Sequence, residues 1–326
     1  MSAQTGRFRV LVTGGDGFVG RHLVRALAAA LPDRSEVIVG SLARDASPDT
    51  GPARQVALDI TDADEVRAVI AAEQPTHLFH LAAIAAVSTA QRNVRQTWAV
   101  NFGGTLNIAI AVSEAAPACR VLYCSSAEVY GANFRSGLAL SENAPLDPIN
   151  PYGASKAAAD LMIGQMSRQG LRAIRLRPFN HIGPGQRRHF VVPDFASQIA
   201  AIEHGTQEPV MRVGNLTARR DFLDVRDVVD AYVRAVLRFD DLPPGEPINI
   251  ASGRAISIRD VLDILVSLSS KKIEIVEDPA LMRSNDTPVV VGDAGRARGL
   301  LGWAPRLSIS DTLAAVLDDC RGARSA

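Results

Sequence analysis

The chain has 326 residues, 47% of them apolar, and its 35 basic side chains are balanced by 35 acidic ones. That length carries one large core or two modest ones. Zero net charge and 5% aromatics argue against a dedicated nucleic-acid binder, which presents a basic stripe.

In chain order, residues 8–13 (FRVLVT) form a β-branched apolar run that ends in glycines, and residues 18–31 carry helical periodicity. Short apolar runs at 36–40, 54–60, 76–82, 120–126 and 171–178 suit strands buried on both faces. Residues 62–73, the stretch around 91–114 and residues 151–169 read as the helices between them, with Pro151 at an allowed first position. This alternation predicts a doubly wound parallel α/β sheet, the Rossmann arrangement. Past residue 178 the pattern is less regular. Helices are expected at 190–205, 225–239 and 256–269, the last with Ser257 as N-cap. The expected organisation is a cofactor domain over 1–178 and a smaller mixed substrate domain over 179–326, with the helix near 225–239 able to return to the first.

Three cysteines, Cys119, Cys124 and Cys320, show no CxxC spacing, so neither a disulfide framework nor a cysteine zinc site is expected. Six histidines lack HExxH spacing, so no metal is expected; His80 reads as a satisfied residue at a strand end and His181 as a pocket-lining one. The opening MSAQTGRFRVLVTGG has no signal-peptide pattern, and the longest uncharged stretch, Gln96 to Ser113, is broken by polar residues and a Gly pair. A cytoplasmic protein that spans no membrane is the expectation.

Gly14, Gly17 and Gly20, with Phe18 and Val19 opening the helix, give a G-x-x-G-x-x-G turn between the first strand and first helix. Such a turn lets backbone N–H groups approach a pyrophosphate at a helix N-terminus, so a dinucleotide is the expected cofactor. The second strand ends at Ser41 and leads to Arg44 with no carboxylate to hold a ribose 2′-hydroxyl. Ser41 and Arg44 suit a 2′-phosphate, which favours NADP(H) with NAD(H) as a second cofactor. Asp59, next to Ile60, is placed either to bond the adenine amine or to cap the following helix.

Tyr152 and Lys156 are four residues apart at the start of a helix and share a face. A nearby ammonium favours the phenolate and lowers a phenol pKa from about 10. Of the 35 basic residues 32 are Arg, and Lys271 and Lys272 sit together elsewhere, so Lys156 is retained where its compact point charge suits the task. Ser126, at the carboxyl end of a buried strand where open α/β sheets bind ligands, can hydrogen-bond a substrate oxygen, with Glu128 in range as a further catalytic candidate.

Over nearly the whole chain these residues resemble the extended short-chain dehydrogenase/reductase family. The motifs are TGGDGFVG (13–20), His80-Leu81-Ala82-Ala83, Val100-Asn101, Ser125-Ser126, Tyr152-x-x-x-Lys156 and Arg177-Pro178-Phe179-Asn180. The strings Phe179 to Gln186 and Val213 to Asp227, with Asp194-Phe195-Ala196 and Gln198-Ile199, are similar to the branch that reduces the C4 ketone of a GDP-linked 4-dehydro-6-deoxy sugar. The resemblance implies that Leu81, Ala82, Ala83, Asn101 and Pro178 line the cofactor. It implies that Tyr152 protonates the C4 oxygen, Lys156 holds the nicotinamide ribose and Ser126 orients the ketone. Asn180, Arg220, Arg283 and Asp286 are then expected at the GDP-sugar, although Ser284 stands where the family usually has Pro. Members commonly form homodimers through the helices near 91–114 and 151–169. Three alternatives remain at this point: a 4,6-dehydratase acting on GDP-mannose, a C4 reductase of opposite stereochemistry giving a 6-deoxy-talose, and a non-catalytic nicotinamide-binding protein.

Overall fold

The computed structural model describes residues 7–42, 51, 53–188, 190–281 and 287–322. Arg44, Arg283 and Asp286 lie outside the described residues.

The first half runs β1 (Arg9–Thr13), α1 (Phe18–Ala30), β2 (Glu36–Ser41), β3 (Arg54–Ala57), α2 (Ala63–Glu73), β4 (His77–His80), α3 (Val87–Arg92), α4 (Val94–Trp98), a π-helical turn (Ala99–Gly104), α5 (Thr105–Ala115), β5 (Arg120–Cys124), α6 (Pro151–Arg168) and β6 (Ala173–Pro178). The second half runs β7 (Asn180–Ile182), α7 (Val191–Glu203), β8 (Val210–Val213), β9 (Arg219–Arg220), β10 (Phe222–Asp224), α8 (Val225–Leu237), β11 (Pro247–Ile250), β12 (Ile256–Ser257), α9 (Ile258–Ser267), β13 (Glu274–Glu277), β14 (Val289–Val290) and α10 (Ile309–Gly322).

Seven parallel strands form the central sheet in the order β3-β2-β1-β4-β5-β6-β11, the predicted doubly wound arrangement. Alternate side chains of each strand face opposite layers. Val10, Val12, Phe79 and Leu122 pack with Leu23 and Leu27 of α1 and with Val228, Tyr232 and Val236 of α8. Leu11, Leu78, Val121 and Tyr123 pack on the other face with Val66, Ile70, Ile108 and Ile163. Both faces are therefore dry, which is why these strands read as unbroken apolar runs. Residues past 178 thus contribute both β11 and α8 to the first layer. A separate core, around Val192, Phe195, Met211, Leu262, Leu265 and Leu313, joins α7, α9 and α10 to β8. Ser257 caps α9 as expected, in a reciprocal box with Asp260.

The single helix expected around 91–114 is broken at Asn93 and again by the π-helical turn, because Asn101 is turned inward to bond the chain after β4. The α2 cap is Asp62, which accepts from the N–H groups of Asp64 and Glu65. Asp59 instead accepts from the Thr61 amide and hydroxyl, closing the turn before it.

Two buried histidines on β4 give the fold an acid limit. Burial pushes His77 down to about 3, with Arg120 adding to the effect and Asp240 opposing it. Burial, assisted by Lys156, pushes His80 down to about 3. Their folded pKa lies below the unfolded value, so the unfolded chain takes up protons first as pH falls. We expect stability to be full above about pH 6.5 and to decline toward pH 3 by about 1.4 kcal/mol per pH unit for each histidine. Urea unfolding at a series of pH values checks this, and a flat stability between pH 6 and 4 would contradict it.

Candidate active site

The loop after β1 is shaped for an anion. Gly14 adopts φ +67°, and a Cβ on Gly20 would lie 2.3 Å from the Gly14 carbonyl oxygen, so the first turn of α1 packs directly on the loop. No side chain caps α1, and its first turn holds no acid. Its N-terminal field and the amides of Phe18, Val19 and Gly20 are left for a ligand. The residues present therefore fit a dinucleotide pyrophosphate. Leu81 and Ala82 border the loop through β1: their amides donate to the carbonyl and the hydroxyl of Thr13. Ala83 follows them, partly exposed. Ser41 ends β2, 5% exposed, and Ile60 is buried beside the chain leaving β3. His181 of β7 stacks on Phe18 with ring centroids 6.3 Å apart, so the second half meets the cofactor loop here.

Asn101, expected to line the cofactor, has its side chain turned toward the chain after β4 and α6. It is fully buried, accepts from the Ile84 amide at 2.8 Å, and donates to the Ile84 carbonyl and to Ser155 Oγ. Its side chain is consumed in holding the loop after β4 against α6.

The reactive side chains gather at the carboxyl end of β5. Ser126 follows the strand, accepts from the Glu128 amide at 3.2 Å and lies near enough to the Tyr152 phenol to favour its ionised form. Asn150 caps α6, accepting from Gly153, and its amide donates to Glu128 at 2.8 Å. A Cβ on Gly153 would lie 2.6 Å from the Glu128 carbonyl oxygen, so glycine there lets the first turn of α6 approach the Ser126 loop. Tyr152 is 9% exposed and Lys156 3%. Lys156 Nζ donates to the Cys124 carbonyl at 2.7 Å and lies over the Tyr123 ring.

The expected lowering of the Tyr152 pKa is reversed. Burial pushes the phenol up, and Ser126 offsets only part of that. Burial likewise pushes the Lys156 ammonium down, opposed by Cys124 and Asp160. Tyr152 is therefore a protonated phenol at neutral pH, the form a proton donor requires.

Pro178 is buried at the end of β6, and Asn180 is exposed at the start of β7. Arg220 lies on β9, where Nη1 donates to the carbonyls of Arg219 and Thr287. Its neighbour Asp221 is fully buried and accepts from the amides of Ser252, Gly253 and Gly292 and from the Ser252 hydroxyl, which ties three loops behind Arg220.

The residue patterns did not reveal what holds α6 in place. Asp160, one helical turn past Lys156 and fully buried, accepts from Arg175 Nη1 at 2.7 Å and from Arg177 Nη2 and Nε at 2.8 and 3.0 Å. Arg177 also donates to the Tyr130 hydroxyl, which donates to Asn249 of β11. A lone carboxylate on the buried face of an Ala-rich helix was the available signal.

The model of the NAD dependent epimerase/dehydratase family matches residues 10–251. The chain belongs to that family. Its relatives include the GDP-6-deoxy-D-mannose reductase of Pseudomonas aeruginosa, 35% identical over 95% of this chain and 96% of that protein. They also include the GDP-6-deoxy-D-talose 4-dehydrogenase of Aggregatibacter actinomycetemcomitans, 28% identical over 90% of this chain and 91% of that protein. Among solved structures, RMD from Pseudomonas aeruginosa complexed with NADPH is 33% identical with a TM-score of 0.84, covering 97% of this chain and 99% of that one. As an epimerase/dehydratase family member, the chain carries Ser126, Tyr152 and Lys156 together at one strand end. Among the described residues no His, Cys, Asp and Glu cluster is arranged to hold a metal, and no helix is long and apolar enough to cross a membrane.

Proposed function

We propose that this protein reduces the C4 ketone of GDP-4-dehydro-6-deoxy-D-mannose to GDP-D-rhamnose, using NADPH and accepting NADH as a second cofactor. The observation that carries this is the 35% identity, over almost the full length of both chains, to a GDP-6-deoxy-D-mannose reductase. The solved relative complexed with NADPH and the absence of a carboxylate at the Ser41 end of β2 support the cofactor choice.

When bound, the nicotinamide supplies the hydride that reaches C4. Tyr152 donates its phenolic proton to the C4 oxygen, and Ser126 holds that oxygen by hydrogen bond. Lys156 has three N–H donors, of which the Cys124 carbonyl takes one, so two remain for ribose hydroxyls. Its charge stabilises the Tyr152 phenolate left after transfer, until solvent returns the proton. Glu128, held by Asn150, borders the sugar beside α6. Residues 1–178, with α8 and β11, form the dinucleotide-binding part. The rest of 179–326 forms the nucleotide-sugar part, with Asn180, Arg220, Arg283 and Asp286 at the GDP-sugar and guanidinium groups at its diphosphate.

The purified protein is expected to oxidise NADPH when given GDP-4-dehydro-6-deoxy-D-mannose and to leave GDP-mannose unchanged with NADP. Conversion of GDP-mannose alone to the 4-keto sugar would overturn the reductase-only reading in favour of a dehydratase.

The protein is taken to work in the cytoplasm as a homodimer. Support for the dimer comes from Val94, Trp98, Ile110 and Leu161, apolar yet 38–60% exposed on α4, α5 and α6. Sedimentation at twice the chain mass is expected, and sedimentation at the chain mass would remove the dimer.

A further inference from the structure

His80 lies at the end of β4, 1% exposed, between two threonines. Its Nδ1 is 2.7 Å from Thr13 Oγ1 and its Nε2 is 3.0 Å from Thr105 Oγ1. The threonines decide which nitrogen carries the proton. Thr105 donates its only hydroxyl hydrogen to the Asn101 carbonyl at 2.6 Å, so toward His80 it can only accept. His80 therefore donates from Nε2. Its Nδ1 is then a bare acceptor, and the Thr13 hydroxyl donates to it. Thr13 Oγ1 in turn accepts from the Ala82 amide at 3.3 Å. The opposite tautomer would set two lone pairs against each other at Nε2 and Thr105. An imidazolium is opposed by burial and by Lys156, which together push His80 down to about 3.

The chain of bonds continues in one direction. Asn101 Nδ2 donates to Ser155 Oγ at 3.0 Å, and Ser155 donates to the Tyr152 carbonyl at 2.8 Å. The same Asn101 amide clamps Ile84, two residues past Ala82. Thr13, Asn101, Thr105 and Ser155 are each at most 1% exposed, so water does not compete for these bonds. At one end stand the glycine loop and the Ala82 amide; at the other stands the backbone of the proton donor.

We propose that His80, fixed as the Nε2–H tautomer, is a positioning residue that couples the cofactor loop to the turn that orients Tyr152. The sequence alone marks His80 only as a satisfied strand-end residue. The proposal rests on the reading of Tyr152 as proton donor. It predicts that cutting the chain between His80 and Asn101 slows hydride transfer without loosening the cofactor.

Two variants cut that link by different chemistry. Thr105→Val removes both the acceptor for His80 and the donor to Asn101. His80→Asn keeps an acceptor for Thr13 but cannot reach Thr105. In each folded variant the NADPH Kd, read by fluorescence, should stay within about threefold of wild type. The single-turnover rate with saturating sugar should fall by about 10-fold or more, since small misplacements of a reacting group cost up to about 10²-fold. Nitrogen NMR of the wild-type protein should show His80 as the Nε2–H tautomer from pH 6 to 9, with a resonance that shifts on NADPH addition. A rate within about twofold of wild type in both variants, a parallel loss of Kd and rate, or an Nδ1–H tautomer would overturn the proposal. If the wild-type protein reduces no sugar, the functional reading fails and the NMR arm alone decides: a His80 resonance unmoved by NADPH overturns the coupling, and a shifted one supports it.

Discussion

Tyr152→Phe is expected to lower turnover by about 10²–10⁴-fold, the usual worth of general acid catalysis, while NADPH binding stays close to that of the wild type. The substitution removes one oxygen from a ring whose packing is otherwise kept. The cofactor cradle at Gly14 to Gly20 belongs to β1 and α1 and is untouched. Ser126 keeps the Glu128 amide. What disappears is the phenolic proton that stands beside Ser126 at the end of β5. Steady-state turnover and a fluorescence titration of NADPH separate the two effects, and an unchanged rate would remove Tyr152 from the mechanism.

Asp160→Asn is expected to cost about 3–5 kcal/mol of stability, the range found when one member of a buried ion pair is removed. Arg177 is only 3% exposed, and it would keep its charge without the carboxylate that now takes its Nε and Nη2 donors. Burial alone would push the Asp160 carboxyl up, and the hydrogen bond and charge of Arg177 more than reverse this, holding it below the ordinary value. The pair therefore remains ionised at neutral pH. Against a typical total of about 5–15 kcal/mol the loss is a large fraction. It falls on the helix that carries Tyr152 and Lys156. Urea unfolding monitored by circular dichroism checks it; a change below about 1 kcal/mol would mean that the Tyr130 hydroxyl and the Glu142 carbonyl suffice to hold Arg177.

Much of the cofactor half was legible because its strands are buried on both faces and its helices are local. The runs at β1, β2, β4 and β5 leave few other assignments, and the glycine loop and the Tyr152–Lys156 spacing are short-range patterns. The π-helical turn was not legible, since it follows from Asn101 reaching Ile84 seventeen positions away and Ser155 on another helix. The Asp160–Arg177 pair and the Asn249 link hid for the same reason: each joins segments that only the folded sheet brings together. In the second half, β9, β12 and β14 are two residues long and exist only through register with one another, so they carry no periodicity of their own. By contrast α10 was readable, with Leu313, Val316 and Leu317 spaced for one buried face, yet it lies beyond the irregular stretch where the pattern was lost. The electrostatics followed neither pattern. Lys156 beside Tyr152 suggested a lowered phenol pKa, and burial, visible only in three dimensions, reversed the sign.

The proposed reaction is reduction at C4 of a GDP-linked 4-keto sugar. It is tested most directly by supplying NADPH deuterated at the nicotinamide C4, with GDP-4-dehydro-6-deoxy-D-mannose, and reading the product by NMR. Deuterium is expected at sugar C4, in the rhamno configuration. Deuterium at C4 in the talo configuration would contradict the assigned product, and no transfer of deuterium to the sugar would contradict the reductase itself.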